Sequence, residues 1–212
     1  MLVTGFAPFA GEARNPSFEI VRRLDGERLG AHRIVGAFLP VVFGAAAAGL
    51  EGLLDTHRPE LALAIGQAGG RDSLSLERVA INLVDARIAD NSGMQPIDVE
   101  VVRGAPSAYF ASLPLKAMRA AMLAAGVPTT LSLSAGSFVC NEVFYALCHL
   151  RATRDARMRS GFLHVPWLPE QAVDHPGQPS MALETMLTGV RAGLACALAT
   201  VDDLHVPGGS TH

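Results

Sequence analysis

The sequence predicts a single-domain α/β/α sandwich with a mixed, largely parallel sheet, and three observations carry that prediction. Apolar strand-like runs alternate with helical patterns from end to end, as they do where helices cover both faces of a parallel sheet. Half of the residues are hydrophobic and only 17% are charged, a balance that builds a packed core rather than a disordered chain. The length, 212 residues, suits one full core and is short for two. Residues 1–205 are accordingly assigned to one catalytic α/β domain, and VPGGSTH, residues 206–212, to a flexible tail.

The elements follow in order. LVTGF opens the chain as a strand. In NPSFEIVRRL, Asn15 can cap a helix and Pro16 suits its first turn. RIVGAFLPV is a strand leading into FGAAAAGLEGLLDTH, an Ala/Leu-rich helix that stops before Pro59. LALAIG is a strand ending in the turn QAGGR. SLSLERVAINLV alternates like a half-buried strand and IDVEVVR is expected to pair with it. The excursion from Ser73 to Arg103 therefore carries antiparallel strands. LKAMRAAMLAAG is a helix ending at Gly126, TTLSLS a strand, VCNEVFYALCHLRA a helix and GFLHVPWLP a strand entering a Pro-rich loop. Met181 to Val201 form a last amphipathic helix.

Composition also narrows the function. A net charge of −3 argues against a nucleic-acid partner, and no apolar run reaches the ~18 residues of a membrane span. MLVTGFAPF has neither a basic region nor a small-residue cleavage site, so it reads as a strand and not as a signal peptide. Cys140, Cys148 and Cys196 are odd in number and lack metal-type spacing, which suits free thiols in a reducing cytoplasm. No metal or cofactor is expected.

In an open α/β sheet, ligands collect where strands give way to helices. Cys140 follows TTLSLS at a helix start, Gln67 follows LALAIG and His164 ends GFLH, so three loops could share one cleft. A nucleophilic cysteine needs a lowered pKa and a base, and the helix N-terminus supplies part of the first. Cys148 and Cys196 lie inside helices and read as packing residues. Inert burial is also the commoner fate of a cysteine such as Cys140. Among seven histidines, position favours His164, with His175 of DHPG as runner-up. The acid that would orient the imidazole is Glu77, Asp85 or Asp90, and spacing alone does not choose. GQAGGR is neither a phosphate loop nor GxGxxG, and its glycines support only a tight turn near a ligand.

The segments GFAPFAGEARNPS, GQAGGR, LERVAIN, DARIADN, AGSFVCNEVFY and GFLHVPWLPEQ, in that order and over nearly the whole chain, resemble pyroglutamyl peptidase I, a family of cytosolic cysteine peptidases. The resemblance implies a triad of Cys140, His164 and Glu77 that removes N-terminal pyroglutamate from peptides. It also implies that Phe6, Phe9, Phe138 and Val139 line the pocket for the pyroglutamyl ring, that Gln67 lies in the turn offering it hydrogen bonds, and that Arg87 stands near the oxyanion. Dimers or tetramers are implied as well. Three places depart from the family pattern: Ala89 stands where Pro is usual, Leu133 and Ser134 where Asn-Thr is frequent, and Glu142 where His or Tyr is common.

Two other readings compete. A nucleoside phosphorylase on a similar sandwich would need a phosphate ligand, for which Arg71 is available. A non-catalytic scaffold is opposed by the joint presence of Cys140, His164 and Glu77.

Overall fold

The structure, a computed structural model, describes residues 1–209. In chain order the elements are β1 (Leu2–Phe6), α1 (Pro16–Leu24), β2 (Arg28–Leu29), β3 (His32–Arg33), β4 (Val35–Leu39), α2 (Ala45–His57), β5 (Leu61–Gln67), β6 (Leu74–Glu77), β7 (Val79–Ile81), β8 (Ala108–Phe110), α3 (Leu115–Ala124), β9 (Thr129–Ser132), α4 (Val139–Arg154), β10 (Arg159–Val165), α5 (Pro169–Ala172) and α6 (Leu183–Ala199). Six strands form the main sheet in the order β4-β1-β5-β10-β6-β9. Every neighbouring pair is parallel except β10 with β6. The sheet is therefore mixed and mostly parallel, as the sequence predicts.

Side-chain alternation assigns the faces. On β5, Leu61, Leu63 and Ile65 join the apolar layer that includes Ile20 of α1, Met118 of α3 and Leu194 of α6. Ala62 and Ala64 point the other way, into the layer of Leu50 from α2 and Val143 and Leu147 from α4. The same rule sends Leu163 and Val165 of β10 to the first layer and Phe162 to the second. His164 has the parity of Phe162, and Glu77 of β6 is out of phase with Leu74 and Leu76 of the first layer. Both side chains are thereby directed to the face that α4 covers.

One local expectation changes. IDVEVVR forms no strand: one isolated bridge joins Val84 to Val99, and β7 pairs instead with β8. Ile97 and Val99 are exposed, so that apolar alternation has no layer to bury itself in. Of the segment assigned to a tail, residues 206–209 lie within the description and Lys116 Nζ donates to the Val206 carbonyl, while residues 210–212 lie outside the described residues. Asp203 anchors the same stretch by accepting the N–H groups of Lys116 and Ala117, capping α3, whose own cap position is Pro114. Among the described residues no helix is long and apolar enough to cross a membrane.

Candidate active site

The β10–β6 pairing sets Glu77 opposite Phe162 and Ser75 opposite His164. Glu77 and His164 are thus diagonal neighbours on one face, close enough for long side chains to meet. They do: His164 Nδ1 lies 2.8 Å from Glu77 Oε1, with both residues buried. Asp85 and Asp90 are elsewhere. The Asp85 backbone pairs with Ser137, and both Asp90 oxygens are taken by the N–H groups of Phe43, Ser92 and Met94 and by the Ser92 hydroxyl. Of the three acids that spacing left open, Glu77 is the one in contact with His164.

Cys140 is the second residue of α4, whose first turn leaves backbone N–H groups without intrahelical partners. Its sulfur sits over the β5–β10 pair. Gly66 of β5 is in register with His164, and a Cβ built on Gly66 would lie 2.7 Å from Cys140 Sγ. Only glycine leaves room there, so a strand residue without a side chain, in register with His164, makes the space in which the thiol stands.

The sequence pointed to a lowered thiol pKa at a helix start, and the structure shows the opposite resting balance. Burial and the Glu77 carboxylate push the Cys140 thiol up to about 12, with Arg71 opposing them. Burial likewise holds His164 below its ordinary value, against the pull of Glu77. Burial thus favours the uncharged form of both groups.

The loops that feed these strands are tied by side chains to which the sequence reading gave no such role. Buried Asn141 accepts from the Ile81 N–H at 3.1 Å and donates to the carbonyls of Ile81 and Leu83, both at 2.9 Å, fixing α4 to the chain after β7. Arg71, at the end of the QAGGR turn, donates to Glu77 Oε1 at 2.7 Å and to the Ser134 carbonyl at 3.0 Å. That engagement leaves it poorly suited to the phosphate role of the phosphorylase reading. Asp90 and Glu142 accept the successive N–H groups of Phe43 and Gly44, each at 2.9 Å. They hold Phe43 edge-on to Phe138, with ring centroids 5.1 Å apart.

A cavity of about 420 Å³ opens beside this constellation, lined among others by Phe9, Gln67, Arg87, Trp167, His175 and Gln178. Phe9 packs toward Phe138 at 6.3 Å. Gln67 is buried, and its Oε1 accepts from Gln171 at 3.2 Å. Arg87 is an exposed part of the wall. Phe6 is the last residue of β1 rather than a loop residue, and its ring packs in the second apolar layer against Phe162. Val139 is also buried in that layer. His175 is not paired with a sulfur: it stacks on Trp167 at 4.3 Å and bonds Glu12 at 2.8 Å. A cleft of the same volume at the other end of the sheet, between Glu51, Arg154 and Arg157, holds none of the predicted site residues. Among the described residues no group of three or more His, Cys, Asp and Glu is arranged to hold a metal ion.

A thiol at a helix start, an imidazole on the adjoining strand and a buried carboxylate on that imidazole are the equipment of a thiol hydrolase on an α/β sandwich. The comparisons agree with that class. The model of the family described as pyroglutamyl peptidase matches residues 1–200. Pyrrolidone-carboxylate peptidase from Cupriavidus taiwanensis is 57% identical over 213 residues, covering 100% of this chain and 99% of that one. The protein of the same name from Yersinia pestis is 47% identical over 212 residues with the same coverage. The crystal structure of pyroglutamyl peptidase I from Bacillus amyloliquefaciens superposes with a TM-score of 0.95 at 39% identity, covering 97% of this chain and 98% of that one. A variant of pyrrolidone carboxyl peptidase from Pyrococcus furiosus gives a TM-score of 0.91 at 43% identity, over 93% and 97% of the two chains. The chain belongs to the pyroglutamyl peptidase family.

Proposed function

We propose that this enzyme removes pyroglutamate from peptide N-termini with Cys140 as nucleophile, His164 as proton carrier and Glu77 as the acid that orients it. The single observation that carries the reading is the buried 2.8 Å contact of Glu77 Oε1 with His164 Nδ1, beside the space that Gly66 leaves for the Cys140 sulfur. With Nδ1 engaged by the carboxylate, Nε2 is the nitrogen left for proton transfer.

The thiol proton passes to His164 Nε2 as the sulfur bonds to the pyroglutamyl carbonyl carbon. The carbonyl electron pair moves to oxygen, where the backbone N–H of Cys140 is placed to receive the charge; one such donor contributes about 3 kcal/mol. The C–N bond then breaks and His164 returns its proton to the departing amine. Water attacks the resulting thioester, again losing a proton to His164, and the thiol and free pyroglutamate are restored. Because burial favours the uncharged form of both groups, charge separation in this reading accompanies bond formation to carbon, beside the Glu77 carboxyl group.

Specificity follows from desolvation. Phe9 presents apolar surface at the cavity, Phe138 packs toward Phe9, and Phe6 and Val139 lie in the apolar layer behind. A neutral lactam loses little on entering, whereas a free N-terminal ammonium would be stripped of water without a partner. Gln67 supplies polar capacity to the ring, and Arg87 adds positive charge to the same cavity wall. In this proposal residues 1–205 act as one catalytic domain, supported by two apolar layers that share one sheet. The enzyme works in the cytoplasm as a homo-dimer or tetramer. Three free cysteines suit the reducing compartment, and exposed Phe110 and Val173 offer apolar surface for assembly.

The test is fluorophore release from a pyroglutamyl amide beside the matching prolyl amide, which differs in lacking the lactam carbonyl and carrying a charged amine. Release from the first alone is expected. Equal rates, or release from the prolyl amide alone, would sink the reading.

A further inference from the structure

The geometry points to Arg71 as a positioning residue that pairs with the site's acid and ties it to the nucleophile loop. This rests on the triad reading above and deepens it.

Glu77 is completely buried, and its Oε1 receives both His164 Nδ1 and Arg71 Nη1, while Oε2 has no hydrogen-bond partner among the described residues. A carboxylate so buried takes up a proton unless a cation offsets the lost hydration. Arg71 is the cation in contact with it, at 2.7 Å, and is itself partly exposed to solvent. The guanidinium thereby fixes the carboxylate oxygen that also meets the imidazole.

The other arm of the guanidinium makes the second link. Nη2 donates to the Ser134 carbonyl at 3.0 Å, in the loop that delivers Cys140 to the start of α4. One planar group therefore spans from the acid of β6 to the loop of the nucleophile. A lysine could supply the charge but not the fork. The groups facing the Glu77–His164 pair that carry charge or titrate are Arg71 from the β5–β6 turn and Cys140 from α4; β5 presents Gly66 and β9 presents Ser132 in register with Glu77. Arg71 is not part of the wall that holds Phe9 and Gln67, so substrate binding should feel its loss little.

The experiment measures kcat, KM and the pH dependence of kcat/KM for the parent, Arg71→Met and Arg71→Lys on a pyroglutamyl fluorogenic amide. In parallel it follows, by peptide mapping, the pH dependence of Cys140 alkylation by iodoacetamide, which needs no substrate. For Arg71→Met the expected results are a fall in kcat of about 100-fold with KM nearly unchanged, and an acid limb moved up by about one pH unit. Arg71 helps hold His164 below its ordinary value, so losing the cation makes the imidazole easier to protonate and acts in that direction. The alkylation profile moves up as well. Arg71→Lys should restore the acid limb while kcat stays low, because the Ser134 arm is missing. An unmoved acid limb and alkylation profile in Arg71→Met would overturn the inference and reduce Arg71 to a structural contact. Should that variant not fold, Arg71→Lys decides: parental kcat overturns the inference, and lowered kcat on a parental acid limb supports it. A parent inactive on the pyroglutamyl amide would instead defeat the proposed function, and the alkylation profiles would still judge Arg71.

Discussion

Gly66 and Cys140 share a space that only one of them can fill: a Cβ on Gly66 would stand 2.7 Å from the sulfur and 2.9 Å from Phe162 Cζ. The strand is straight and extended there, so the glycine is present for closeness and not for an unusual backbone angle. Gly66→Ala should fold, with an overpacking cost of about 1–3 kcal/mol read as a lowered Tm. Its kcat should fall by about 100-fold, since the sulfur must move by an ångström or so. Activity retained at the parental level in a folded Gly66→Ala would show that the sulfur works from another position.

Cys140→Ser should be inactive and normally folded, and Cys148→Ser should be close to parental in rate. Cys148 is buried two turns along α4, 3.9 Å from the Ser160 hydroxyl, and packs with the apolar layer. Activity in the first variant and its loss in the second would reverse the roles. Glu77→Gln should keep KM and lower kcat by about 100-fold, within the usual range for acid–base assistance. Parental kcat in Glu77→Gln would remove the carboxylate from the mechanism.

Phe6 and Phe9 stand three residues apart and should respond differently. Phe9 is half-buried at the cavity, so Phe9→Ala should raise KM about tenfold, the equivalent of roughly 1.5 kcal/mol of apolar contact. Phe6 is 2% exposed between β1 and Phe162, so Phe6→Ala should cost about 3–5 kcal/mol of stability. KM and Tm measured on both variants check the division, and the reverse pattern would exchange the pocket and core assignments.

How much of this was legible in sequence depends on which interactions are local. The alternation of strands and helices and the placing of Cys140 at a helix start are local features, and they read directly. The partner of Arg71 is not periodic: it depends on the antiparallel register of β6 beside β10 and on where the Ser134 loop passes. Asn141 is equally silent, because an amide in the first turn of a helix looks the same whether it meets water or three backbone groups. The failed strand at residues 97–103 alternates well but lacks a neighbour to pair with along its length. Alternation states what a strand would bury, not whether a sheet is there to receive it.

The departure at Glu142 has a measurable consequence. Burial pushes its carboxyl above the usual range, the Gly44 N–H opposes that and the Asp90 charge adds to it. A raised folded-state pKa favours the native state at low pH and loses that advantage as pH rises through the folded value. Glu142→Gln keeps an acceptor for Gly44 and removes the ionisation. Its Tm relative to the parent should therefore improve between pH 5 and pH 8. Asp90 is the opposite case: burial pushes it up, but the N–H groups of Phe43, Met94 and Ser92 and the Ser92 hydroxyl outweigh that and hold it low. Its contribution is present above the ordinary carboxylate range and fades as pH falls through its lowered value, so Asp90→Asn should cost most near neutrality. Parallel Tm curves for parent and Glu142→Gln across that range would contradict the buried-acid account.

The account's central claim is that the pyroglutamyl group passes through a thioester on Cys140. Rapid acid quenching during turnover of a pyroglutamyl amide, followed by mass spectrometry of the digested protein, tests it most directly. The account predicts a pyroglutamyl adduct on the peptide containing Cys140, accumulating further in variants that slow the attack of water, and absent in Cys140→Ser. An adduct on the peptides of Cys148 or Cys196, or undiminished turnover by Cys140→Ser, would contradict it.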